Sequence, residues 1–153
     1  MTIKRDIQTK GFHSEQEKTT VNLIHTAAVF ESKFNQFIKQ FGLSSQQYNA
    51  LRILRGQAPN AILSGELQNR MLHNTSNATR LVDKLVEKGF VDRVKNKDDQ
   101  RKILVSITDQ GLKFLSKLDA EVSVFNQEAI KLPEPQLMVL NLLLDDLRAA
   151  SEE

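Results

Sequence analysis

Apolar residues recur at helical spacing early in the chain: Leu23, Ala27, Phe30, Phe34, Phe37 and Phe41 advance by alternate steps of four and three along one face. Ser14 and Glu17 precede the run with the spacing of a capping box, and Gly42 follows it, able to take the left-handed conformation that ends a helix. The pattern predicts one long helix over 14–42. Ser44 and Gln47 repeat the capping-box spacing at once, and the helix they open carries Tyr48, Leu51 and Leu54 inward and ends near Gly56. After a polar stretch containing Pro59, Ser64 is placed to cap a short helix that buries Leu67 and Met71. Asn74 is placed to cap another, running through Thr79 to about Lys88, with Ala78, Leu81, Val82, Leu85 and Val86 on its apolar side and Gly89 at its end.

From Phe90 the period changes. Phe90 to Val94 and Ile103 to Ile107 are short β-favouring runs separated by a charged segment, and Ile103, Val105 and Ile107 share one face of the second run. Two antiparallel strands with a charged loop are expected. Thr108 then caps a long helix bearing Leu112, Leu115, Val122, Phe125 and Ala129, Pro133 and Pro135 force a break, and a last helix carries Leu137, Leu140, Leu144 and Leu147. No internal repeat interrupts this order.

The expected fold class is mainly α with a small β-hairpin wing: a winged helix-turn-helix lobe over 44–107 with N- and C-terminal dimerisation helices over 14–42 and 109–150, all in one domain spanning 1–153. A small domain has little interior with which to cover both the Phe30 to Phe41 stripe and the Leu137 to Leu147 stripe, so burial between two copies is expected. The other reading is that both stripes cover the chain's own core.

Composition narrows the chemistry. The 153 residues include no cysteine, which excludes thiolate catalysis, disulfides, cysteine-containing zinc sites and thiol-based sensing. No apolar run approaches the roughly 20 residues that span a bilayer, and the N-terminus lacks the apolar core of a signal peptide, so a cytoplasmic protein without membrane contact is expected. His13, His25 and His73 are scattered, and there is no Gly-rich phosphate loop, His-Glu-x-x-His or nucleophile elbow. Neither an enzyme nor a cofactor or metal is expected. The net charge of +2 is small, but it is unevenly spread: Arg80, Lys84, Lys88, Arg93, Lys95, Lys97, Arg101 and Lys102 crowd the middle, while the last thirty or so residues are mainly acidic.

The run from Asn74 to Gly111, NTSNATRLVDKLVEKGFVDRVKNKDDQRKILVSITDQG, resembles the signature of the MarR family. Its parts are a recognition helix with Thr-Arg-Leu-Val-Asp-Lys-Leu, a Glu-Lys-Gly-Phe-Val turn into a strand, a wing with Asp-x-Arg, and Val-Ser-Ile-Thr-x-x-Gly opening the next helix. Two departures stand out: Leu72 and His73 occupy a turn where small residues are common, and Gln100 replaces a frequent wing arginine.

A helix that enters the major groove must expose short polar side chains at its N-terminal turns, as Thr75, Ser76, Asn77, Thr79 and Arg80 do here. Asn can pair with adenine and Arg with guanine; the alternative for Asn74, Thr75 and Ser76 is a helix cap with solvated neighbours. In the wing, Asp99 and Arg101 match the family's Asp-x-Arg, and the resemblance implies that the arginine enters the minor groove while the aspartate holds the loop. Lys95, Lys97 and Lys102 would add phosphate contacts, or be solvated. The resemblance also implies a small aromatic or anionic effector between the dimerisation helices and the DNA-binding lobe; His25, Tyr48, Asn49 and Arg52 are the polar candidates near that junction, with core and surface roles as the alternatives. The function expected is sequence-specific binding of double-stranded DNA at a pseudo-palindromic operator by a homodimeric repressor. The alternative is a winged-helix module that binds protein or serves as a dimer scaffold.

Overall fold

A computed structural model describes residues 2–72 and 78–150, with the side chain of residue 78 excepted. The elements in order are α1 (Ile3–Asp6), α2 (Glu15–Lys39), α3 (Ser45–Arg55), β1 (Ile62–Leu63), α4 (Ser64–Arg70), α5 (Ala78–Glu87), β2 (Val91–Lys95), β3 (Ile103–Ile107), α6 (Asp109–Ala129) and α7 (Glu134–Ala149). The fold is mainly helical with a small antiparallel sheet, as the pattern predicts.

Helix starts follow the capping chemistry with two differences. Ser44 forms a complete box: its Oγ accepts from Gln47 N at 3.1 Å, and Gln47 Oε1 accepts from Ser44 N at 3.0 Å. Ser14 Oγ likewise accepts from Glu17 N, but the Glu17 carboxylate reaches one residue further back, to His13 N at 2.6 Å, so that box is only half formed. Ser64 is not a cap; it is the first residue of α4, and Leu63 stands at the N-cap without a side-chain bond. Asn74 lies outside the described residues. Gly42 and Gly89 both have φ of +73°, in the left-handed region where a Cβ is strained.

The sheet has three strands in the order β1-β3-β2. Val91 pairs with Ile107 and Lys95 with Ile103, while the two-residue β1 adds Ile62 opposite Val105 on the other side of β3. So short a strand carries no period for the sequence to display. Val105 is fully buried and Ile103 and Ile107 half-buried on its face, as expected from the alternation.

The chain divides into two compact units, Met1–Leu118 and Asp119–Glu153. The first has a dense interior: Ile38, Leu51, Leu54, Leu67, Leu85, Val105 and Leu115 are all but inaccessible to solvent. Each such side chain contributes about 1.5–3 kcal/mol by leaving water, and together they lock α3, α4 and α5 to the sheet. Val86, expected on the apolar side of α5, is instead 38% exposed, because Leu81, Val82 and Leu85 already fill the arc that faces the interior. The short α1 had no sequence signal; it buries Ile3 and packs against α2. In the second unit, α7 has Pro133 at its N-cap and Pro135 in its first turn, where a missing N–H costs nothing, so only the first proline lies in the break. No described residue of α7 is buried.

Candidate nucleic-acid interface

Helix α5 is held from behind and open in front. Leu81, Val82 and Leu85 anchor it, while Thr79, Arg80 and Lys84 are exposed. Thr75, Ser76 and Asn77 lie outside the described residues, so of the five expected groove-facing positions the structure places Thr79 and Arg80, both in the first turn of α5. Just past α4, the Leu72 N–H donates to Asn49 Oδ1 of α3 at 3.1 Å. Leu72 itself is 82% exposed.

The wing is a set of hydrogen bonds rather than a packed structure. Asn96 Oδ1 accepts from Asp98 N at 2.8 Å and Asp99 N at 3.4 Å, and Asn96 N donates to Lys102 O at 2.9 Å. Asp99 Oδ1 accepts from Arg101 N at 3.1 Å, and Asp99 Oδ2 lies 3.7 Å from Lys102 Nζ. Asp99 thus folds the loop, whereas the exposed Arg101 guanidinium has no partner among the described residues. Lys95 and Lys97 are exposed near it. Asn96, absent from the expected site, is the loop's other organiser, and its side chain bonding two residues on is the asparagine turn habit that could have revealed it.

A further contact joins the two halves of this surface. Arg93 Nη1 on β2 lies 2.5 Å from Asp83 Oδ1 on α5. Both groups are partly exposed, so the pair adds little stability, but it joins α5 to the strand that leads into the wing. Behind it, Thr108 Oγ1 donates to Gly89 O at 2.7 Å and accepts from Gly111 N at 3.0 Å, and a Cβ on Gly111 would collide with the Phe90 carbonyl. The Thr-x-x-Gly spacing is therefore a demand of close backbone packing.

The four candidate effector residues separate. Tyr48 is buried, its ring 5.5 Å from that of Phe34, and its hydroxyl accepts from Arg52 Nη1 at 2.9 Å. Asn49 is engaged with Leu72, and His25 is half-buried on α2. Only Tyr48 and Arg52 are brought into direct contact with each other. Among the described residues, no group of three or more His, Asp or Glu side chains could hold a metal, and no helix is long and apolar enough to cross a membrane.

Residues 43–103, from just before α3 to the first residue of β3, match the model of the MarR family, and most of the fold matches solved winged-helix members of it. The lobe from α3 to β3 is thus of MarR type, and the chain is similar to members of that family. A MarR transcription factor of Planctomyces limnophilus is 26% identical, with 94% of this chain and 100% of that chain covered and a TM-score of 0.68. A cysteine-to-serine mutant of MarR from Escherichia coli, solved with operator DNA, is also 26% identical, covering 82% and 91% at a TM-score of 0.71. The transcriptional repressor MprA of Escherichia coli is 29% identical over 84 residues, 55% of this chain and 48% of MprA. The chain spans about half to three-fifths of the length of the first curated relatives it matches.

Proposed function

We propose that the chain is a sequence-specific double-stranded DNA-binding transcription regulator that acts as a homodimeric repressor in the cytoplasm. The observation that carries this reading is the wing: Asp99 and Asn96 consume the loop's own hydrogen bonds and leave the Arg101 guanidinium exposed without a partner among the described residues, next to a helix with an open polar face. A cation presented in this way suits the concentrated negative potential of a narrow minor groove. The likeness to MprA supports repression, and the likeness to a MarR solved with operator DNA supports the DNA partner. Thr75, Ser76, Asn77, Thr79 and Arg80 enter the major groove in this reading, with Lys95, Lys97 and Lys102 on phosphates.

The homodimer rests on α7, where Met138, Val139, Leu142 and Leu143 are each more than half exposed, a run of apolar surface that water disfavours. Two copies would set their recognition helices about 34 Å apart on a pseudo-palindromic operator. A small aromatic or anionic effector near Tyr48 and Arg52 would loosen DNA by its preference for one lobe spacing over the other, and by no more.

The test is fluorescence anisotropy of the full chain on the duplex upstream of its own coding sequence and on a scrambled duplex, at two salt concentrations. Preference for the native duplex, weakening with salt, is expected; where that duplex holds no operator, selection from random sequence yields a consensus. Failure of selection to enrich any sequence would overturn the reading.

A further inference from the structure

A second polar site lies on the same lobe, between the start of α3 and the side of α5. Ser44, Gln46 and Gln47 line one wall of an open depression of about 310 Å³, and Arg80, Leu81 and Lys84 line the other. Among the described residues no carboxylate lines it. Arg80 and Lys84 are one helical turn apart and turn the same side of α5 toward α3; neither has a partner among the described residues.

Gln47 shows what the depression is built to hold. Its residue is 7% exposed, and it is the one polar residue in the interior among those described. The Ser44 N–H requires an acceptor, which fixes Oε1 toward the cap and turns the amide NH₂ the other way. That NH₂ has no partner among the described residues, although buried donors are nearly always satisfied. A buried donor, two cations and the positive end of an eleven-residue helix converge on one space, and a tetrahedral oxyanion with several acceptor oxygens answers all of them.

We propose that Gln47, Arg80 and Lys84 hold a backbone phosphate of the bound DNA, so that Arg80 anchors the recognition helix rather than reading a base. The proposal rests on the DNA-binding reading and changes the role that reading gives Arg80. A phosphate held between α3 and α5 fixes the insertion depth of α5 whatever the base sequence, which leaves discrimination to the residues before it and to Thr79.

The experiment compares the full chain with Arg80→Gln, Lys84→Gln and Gln47→Glu on one duplex across a salt series, with selection from random sequence for wild type and Arg80→Gln. Gln47→Glu keeps the acceptor that the Ser44 cap needs and replaces the donor with an oxygen, so its far-ultraviolet circular dichroism should match wild type. Each cation removed should lower the slope of log affinity against log salt by about 1 and leave the selected sequence unchanged. Gln47→Glu should weaken binding about tenfold on every duplex. A shift of the selected base at one position in Arg80→Gln, or unaltered affinity in Gln47→Glu, would overturn the proposal while wild-type binding upholds the broader reading. Absence of DNA binding by wild type would overturn both; shifts of the amides of residues 44–47 on adding inorganic phosphate, lost in Arg80→Gln, would then show that the depression takes an oxyanion other than DNA.

Discussion

The junction behind the wing and the tip of the wing are about ten residues apart in sequence and obey different physics. At the junction, Gly89, Phe90, Thr108 and Gly111 meet through backbone atoms: Gly111 lies under the Phe90 carbonyl, Thr108 bridges Gly89 O and Gly111 N, and the Phe90 and Phe114 rings stack at 4.5 Å. No charge takes part. At the tip, Asn96 and Asp99 side chains do the folding, Lys102 lies within ion-pair distance of Asp99, and the Arg101 guanidinium stays in water. Steric fit therefore sets where the hairpin leaves the body, and electrostatics sets what its end can do. A substitution should act on stability at the first place and on DNA at the second.

The strongest way to break that division is Gly111→Ala. The added methyl meets the Phe90 carbonyl and lies 2.8 Å from Ile107 Cγ1, and neither backbone oxygen nor a packed strand residue can swing aside. Overpacking of this kind costs about 2–3 kcal/mol, which lowers Tm by about 5–10 °C in a domain of this size. Thermal unfolding followed by circular dichroism measures it, and an unchanged Tm would show that the junction has slack. At the tip, Arg101→Ala should leave stability within about 0.5 kcal/mol, as for other exposed positions. It should weaken DNA binding about tenfold, or ~1.4 kcal/mol, with little change in preferred sequence. A large loss of Tm in that variant would mean that the wing's end is structural after all.

The same contrast explains what could be read from the sequence. The junction was legible as Gly89 and Thr-x-x-Gly, because steric demands admit few residue types. The recognition helix was legible too, since Leu81, Val82 and Leu85 display a helical period. Side chains that act across elements were not: Asn49 on Leu72, Arg93 on Asp83 and the unpaired end of Gln47 depend on which helices come together, and no local spacing records that. Gln47 was read correctly as a cap, and this hid its other end. The apolar arc of Val86 failed for a related reason, because period gives a face but not how wide a strip of it the sheet covers.

Thr108→Ala tests the junction more gently. It removes a helix cap worth about 1 kcal/mol together with the bond to Gly89 O, worth about 0.5–1 kcal/mol, yet creates no clash, so its loss in chemical denaturation should be smaller than that of Gly111→Ala. Equal losses would mean that the hydrogen bonds, and not the close approach, hold the hairpin in place.

The smallest effect lies where the two regimes meet, at Asp83 and Arg93. The pair is partly exposed on both sides, so a double-mutant cycle with Asp83→Asn and Arg93→Gln should give a stability coupling of about 0.2–1 kcal/mol, shrinking with salt. Its effect on DNA binding should be larger than its effect on stability, because the pair joins the helix to the strand that carries the wing. If Arg101 enters a groove as proposed, then with the bond absent it must do so from a less restricted hairpin, and the entropy of that search opposes binding. The cycle is run twice, by denaturation and by DNA titration. Coupling in the titration that exceeds coupling in denaturation would identify the ion pair as an aiming device, whereas equal values would reduce it to an ordinary surface bridge.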